Sequence, residues 1–215
     1  MVKYIIMCGG DYKVWDIPRQ MTKIRGEPIV ARTIRLLRMC GVNNIAISTH
    51  DERFSRFDVQ LLRHENGFGH KNGGVTGAWA EAFYPMNEPA CYIMGDVVFS
   101  PEAIRTIVDT HTCGIQFFAS CPPFSPMYTK KYAEPFAFKV FDQERFRAAI
   151  EYVKANVNTG IFTRHPIAWE LWQVIRGRDV REIDYGSYVA INDYTCDIDN
   201  PEDVEKIERV LNWDT

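Results

Sequence analysis

The chain has 215 residues, 46% hydrophobic and 13% aromatic, enough to bury one substantial core without disulfide or metal staples. Its formal charge of -3, from 25 basic and 28 acidic residues spread along the whole length, offers no electrostatic footprint for nucleic acid or an anionic membrane. A single domain over 1–215 with small-molecule partners, no nucleic acid and no membrane, is the expectation.

The opening MVKYIIMCGG is too short and interrupted for a signal-peptide core or a membrane span, and residues 2–7 read as a first strand ended by Gly9-Gly10. From Glu27 the run EPIVARTIRLLRMC has apolar residues at helical spacing until Gly41 stops it. Residues 44–48 predict a strand, 51–63 a polar helix, 66–74 a glycine-rich loop and 76–83 a further helix. The apolar run 91–94 is a compact strand ending at Gly95-Asp96, and Ser100-Pro101-Glu102 supplies a cap and a first-turn proline for the next helix. Residues 115–120, 135–141, 161–163 and 188–192 read as strands; 143–154, 167–175 and 201–211 read as helices. Strands alternating with helices over the first 120 residues predict a parallel, doubly wound sheet, and the later chain makes it mixed. The six cysteines, at positions 8, 40, 91, 113, 121 and 196, never form a C-x-x-C pair, so neither a zinc site nor a disulfide framework is expected and a reducing cytoplasm fits best.

In open α/β sheets, ligands collect at the carboxyl ends of the strands, which draws attention to two turns. At Cys8-Gly9-Gly10 the glycines let backbone N–H groups approach a nucleotide, although a plain strand-to-helix turn explains them equally. At Gly95-Asp96 a carboxylate is aimed into the crevice, either to hold Mg²⁺ on phosphates or to cap its own turn. In Cys196-Asp197-Ile198-Asp199-Asn200-Pro201-Glu202-Asp203, the last acidic residues serve as an N-terminal cap for the closing helix. Asp197 and Asp199 alternate on one face at a like-charge cost that capping does not explain. Trp169 and Trp172 read as core, and the five histidines lack metal spacing.

In order along the chain, YIIMCGG, IPRQMTKIRGEPIVARTIRLLRMCGVNNIAIST, GDVVF, ANVNTGIF and CDIDNPEDVEKI resemble the nucleotidyltransferase superfamily. Its members activate sugar phosphates, polyol phosphates and phosphocholine-like acceptors with CTP, UTP or dTTP. The resemblance implies a Rossmann-like mixed sheet flanked by helices on both faces. It also implies attack of an acceptor phosphate on the α-phosphorus of an NTP, with release of pyrophosphate. Asp96 and Asp199 would hold Mg²⁺, Arg19 would stand for the family's lysine on the triphosphate, and Cys8, Gly9 and Gly10 would wrap the nucleotide. Gly74 and Thr76 would meet base and ribose, while Lys139, Asn158 and Gly160 would meet the acceptor. The chain departs from the family pattern after Gly10, where Asp11-Tyr12-Lys13 replaces a second glycine and an arginine, leaving Lys13 as a point charge on the phosphates. Chains this short in the superfamily favour CTP, and a homodimer is the common oligomer. A nucleotide-sugar-dependent glycosyltransferase, which would normally carry a tight D-x-D where GDVVF stands, and a non-catalytic nucleotide-binding relative are the alternatives.

Overall fold

Lys3–Met7, buried from Tyr4 onward, forms β1, the first strand of the chain and an interior strand of the main sheet. The computed structural model describes residues 1–9, 15–64, 78–121 and 133–211. After β1 come a 3₁₀ turn (Arg19–Met21), the two-residue strands β2 (Lys23–Ile24) and β3 (Glu27–Pro28), helix α1 (Ile29–Met39) and β4 (Ile45–Thr49). Gly41 ends α1 at φ 78°, a left-handed backbone that suits glycine, with Val42 N–H reaching back to the Leu37 carbonyl at 3.0 Å. The predicted polar helix over 51–63 is instead a 3₁₀ turn (Glu52–Arg56) followed by β5 (Gln60–Arg63). There Asp51 caps the turn, and pairing with β4 outweighs the weak helical pattern.

The chain continues through a 3₁₀ turn (Trp79–Ala82), where a longer helix was expected, then β6 (Ala90–Met94), β7 (Val97–Val98) and α2 (Pro101–Asp109). β8 (Ile115–Ser120), β9 (Pro135–Val140), α3 (Gln143–Asn156), α4 (Ala168–Arg176), β10 (Val189–Ile191), β11 (Cys196–Asp197) and α5 (Pro201–Leu211) complete it. Residues 161–163 form no strand.

The main sheet has the order β10-β8-β9-β6-β1-β4-β5. Its pairs are parallel except those made by β9, which runs against both β6 and β8. Neighbouring residues of β9 separate the faces, because successive side chains of a strand point to opposite sides. Phe138 meets Phe146 of α3 and Trp172 of α4, whereas Lys139 reaches the end of α2, which packs on α1. Helices therefore cover both faces of a mixed Rossmann-like sheet. Trp169 and Trp172 are buried in the aromatic core, as their sequence setting predicts. A second apolar cluster joins Ile24, Ile29, Val98, Ile198 and Ile207, fastening α5 and β11 beside the first strands. All six cysteines are free, and among the described residues no helix is long and apolar enough to cross a membrane.

Candidate active site

The site begins where β1 and β6 end side by side. Met7 is in register with Met94, and Gly95 N–H then donates to the Met7 carbonyl at 3.1 Å. A Cβ on Gly95 would lie 2.3 Å from that carbonyl oxygen, well inside contact distance, so only glycine lets the chain pass this close to β1 and turn outward with Asp96.

Asp199 reaches the same place by a short ladder. β11 runs antiparallel to β7 with Cys196 opposite Val98 and Asp197 opposite Val97, and the next amide, Ile198 N–H, donates to the Asp96 carbonyl at 3.0 Å. Ile198 is 0% exposed, and burying such a side chain contributes about 1.5–3 kcal/mol, which orients its neighbours Asp197 and Asp199 away from the second core. Trp15 Nε1–H donates to the Asp199 carbonyl at 3.3 Å, and the Asp203 carboxylate accepts from Asp199 N–H (3.2 Å) and Asn200 N–H (2.9 Å). The capping role read for Asp203 and the separate setting of Asp199 are thus both present.

A buried knot supports this ladder. Ser100 Oγ accepts from Ala103 N–H at 2.9 Å and donates to Asp193 Oδ2 at 2.5 Å, while Asp193 Oδ1 accepts from Thr195 N–H at 2.7 Å. Thr195 Oγ1 in turn accepts from Ser100 N–H at 3.0 Å. The segment leading into β11 is thereby tied to the start of α2. It is β11, and not β10, that delivers the aspartates: β10 lies at the far edge of the sheet with β8 and β9 between it and β6.

Arg19 enters from the turn Arg19–Met21, whose backbone is closed by Met21 N–H on the Pro18 carbonyl (2.8 Å) and Thr22 N–H on the Arg19 carbonyl (2.9 Å). Its Nη2 lies 2.9 Å from Asp96 Oδ2 and its Nη1 lies 2.8 Å from Asp199 Oδ1. One guanidinium therefore holds two carboxylates that come from sites a hundred residues apart. Asp96, followed by Asp199 and Asp197, raises the Arg19 pKa further above its ordinary value against the opposing effect of burial. Beside it, buried Gln20 donates from Nε2 to the Gly9 carbonyl at 3.3 Å, and its Oε1 has no hydrogen-bond partner among the described residues.

Two carboxylates sharing one crevice are the kind of donor set that Mg²⁺ uses when substrate phosphates and water complete its shell. Among the described residues there is no group of three or more His, Cys, Asp or Glu that could hold a metal ion by itself. The pair suits a cation brought in with phosphates better than a structural metal.

The other sequence candidates divide. Gly9 lies at this edge, joined to the Arg19 turn through Gln20. Cys8 does not offer itself to a nucleotide: its N–H donates to the Ser48 carbonyl at 2.9 Å, its carbonyl accepts from Thr49 Oγ1 at 2.8 Å, and its thiol is buried, with a pKa well above the usual value. Lys139 is a clearer correction. It pairs with Cys91, on the half of β6 away from Asp96, and its Nζ donates to the carbonyls of Ile107 (3.0 Å), Val108 (2.8 Å) and Thr110 (2.8 Å). All three ammonium protons are spent on the carboxyl end of α2, so Lys139 is a buried helix cap and not an acceptor contact. Asn158 and Gly160 stand exposed in the turn after α3. Gly10, Lys13, Gly74 and Thr76 lie outside the described residues. Gln20, Ser100, Asp193 and Thr195 were not singled out for the site. Asp193-x-Thr195 has the spacing of an Asx turn, but nothing local in sequence links it to Ser100.

Residues 4–165 match the model of the family described as the MobA-like NTP transferase domain. No curated protein matches the sequence. Among solved structures, a Bacillus anthracis protein assigned as a glucose-1-phosphate thymidylyltransferase, determined with sucrose, is similar at a TM-score of 0.63 and 15% identity, covering 98% of this chain and 95% of that one. The inositol-1-phosphate CTP transferase of T. maritima is similar at a TM-score of 0.55 and 16% identity, covering 98% and 96%. These two likenesses concern the fold.

Proposed function

Because the chain belongs to the family of MobA-like NTP transferase domains, we propose that it moves a nucleoside monophosphate from an NTP to a phosphorylated small acceptor and releases pyrophosphate. The observation that carries this reading is the meeting of Arg19, Asp96 and Asp199 beyond the carboxyl ends of β1 and β6, beside Gly9. The names of the two structural neighbours support the acceptor class, since glucose-1-phosphate and inositol-1-phosphate are both phosphorylated polyhydroxy compounds, and their nucleotides are both pyrimidine. CTP is the favoured donor, with UTP and dTTP next.

An oxygen of the acceptor phosphate attacks the α-phosphorus, a new P–O bond forms, and the bond to the bridging oxygen of the β-phosphate breaks. Nothing is oxidised or reduced, and the ionised acceptor needs no general base. Since both reactants are anionic, catalysis consists of positioning and charge neutralisation. Asp96 and Asp199 would hold Mg²⁺, and that ion would draw charge from the phosphate oxygens. Arg19, whose planar fork can bridge two oxygens, neutralises the triphosphate. Gly9 keeps the backbone close to the nucleotide, and Asn158 and Gly160 are retained as acceptor contacts.

The test is an assay of pyrophosphate release with CTP, UTP, dTTP, ATP and GTP against a panel of sugar and polyol phosphates in the presence of Mg²⁺. Turnover is expected, fastest with CTP. A purine triphosphate as the sole productive donor would reverse the nucleotide assignment, and nucleotide binding without turnover on any acceptor would leave a binding module instead of an enzyme.

A further inference from the structure

We propose that Arg19 is the resident counter-ion of the Asp96–Asp199 pair and must leave it before a divalent cation can enter, so that nucleotide binding gates metal binding. This inference rests on the reading that those two carboxylates hold the metal; it adds the order in which the site is loaded.

The competition is atomic. The guanidinium occupies Asp96 Oδ2 at 2.9 Å and Asp199 Oδ1 at 2.8 Å. A divalent ion bound directly by both carboxylates needs the space between them, and it would repel a guanidinium left there. Without any cation, two carboxylates converging on one crevice would repel each other. Arg19 solves that problem in the free chain, and in doing so it holds the metal position closed.

The arrangement is also built to open. Both arginine bonds to carboxylate are made by the tip of a long side chain, while the backbone of its turn is fastened separately by the bonds around Pro18 and Thr22. The Arg19 side chain is 23% exposed and that of Asp199 is 39% exposed, so solvent and solutes reach the pair. A triphosphate arriving beside Gly9 offers the guanidinium new anionic oxygens. Exchanging carboxylate partners for phosphate partners keeps Arg19 in charge-assisted hydrogen bonds and clears both carboxylates in the same motion. Nucleotide and metal then favour each other, and thermodynamic linkage makes that coupling reciprocal.

The experiment titrates Mn²⁺ into wild type, Arg19→Gln and Arg19→Lys without nucleotide, following free Mn²⁺ by electron paramagnetic resonance, each protein first shown to melt cooperatively. Arg19→Gln should bind Mn²⁺ about tenfold more tightly than wild type, the scale expected when two partly buried ion pairs no longer compete. Arg19→Lys, a single point charge, should fall between. The α,β-methylene analogue of whichever triphosphate supports turnover should raise wild-type Mn²⁺ affinity beyond what the analogue alone binds, and Asp96→Asn should remove that gain. Equal Mn²⁺ affinity in wild type and both Arg19 variants, lost in each on adding Asp96→Asn, would overturn the gate and leave the metal assignment standing. If none of the proteins bound Mn²⁺ through Asp96, with or without the analogue, the metal assignment would fail and the gate with it.

Discussion

Arg19 and Lys139 were both expected to meet phosphate, and the fold places them in opposite halves of the sheet with different work. Arg19 faces two carboxylates in a partly open crevice beyond the ends of β1 and β6. Lys139 is 4% exposed and gives every proton to backbone carbonyls that end a helix. A cation held by side-chain carboxylates near water can exchange partners for those of a substrate, at little cost in the fold. A cation that satisfies main-chain carbonyls in the interior cannot, because its departure would leave those carbonyls unpaired. Sign of charge and residue type do not separate the two cases; what each side chain is bonded to does.

The sharpest break between the regions should come from the carboxylates. Asp96→Asn and Asp199→Asn are each expected to lower pyrophosphate release by about a thousandfold or more, on the scale of losing a main electrostatic contact to a transition state. Circular dichroism and melting should remain those of a folded chain. Asp197→Asn should be milder, because Asp197 acts on Arg19 only at a distance. Wild-type release from either Asp96→Asn or Asp199→Asn would remove the site.

Arg19→Ala comes next, with an expected loss of about a hundredfold in kcat/KM, equivalent to roughly 2.7 kcal/mol. It too should stay folded. An undiminished rate in the purified variant would mean that the guanidinium serves the carboxylates alone.

Lys139→Met should show the opposite profile: stability falls by about 2 kcal/mol in urea titration, while turnover per folded molecule is unchanged. Burial holds the Lys139 ammonium below its ordinary pKa of 10.5. As pH rises between the folded and ordinary values, the unfolded chain keeps a proton that the folded chain has released, so wild type should gain stability relative to Lys139→Met over that interval. A pH-independent difference would argue against a buried ammonium, and a lost turnover with full stability would restore the acceptor role.

The smallest effect belongs to the support of the site. Ser100→Ala removes the cap of α2 and its bond to Asp193, with an expected cost of about 1 kcal/mol, and the shift of β11 should lower kcat/KM severalfold. A change in stability with no change in rate would confine the knot to structure.

Most strands of the main sheet, the main helices and the glycine stop at Gly41 were legible because their signals are local: apolar runs, helical spacing, Ser100-Pro101 at a helix start and Gly41 at a helix end. The expected helix over 51–63 failed because the 3₁₀ turn at Glu52–Arg56 and the pairing of β5 with β4 depend on a neighbour that a local pattern does not contain. The same limit decided the site. The sequence by itself determined that Asp96 stands at the end of a buried strand, that Asp199 stands apart from the cap of α5, and that Arg19 follows the glycine turn. Only the tertiary structure decided that these three meet and that Lys139 does not join them. The β7–β11 ladder brings Asp199 to Asp96, Gly95 permits the close passage that exposes Asp96, and an antiparallel β9 carries Lys139 to the far half of the sheet. Each of these is a contact between segments distant along the chain, and spacing within a segment carries no record of it.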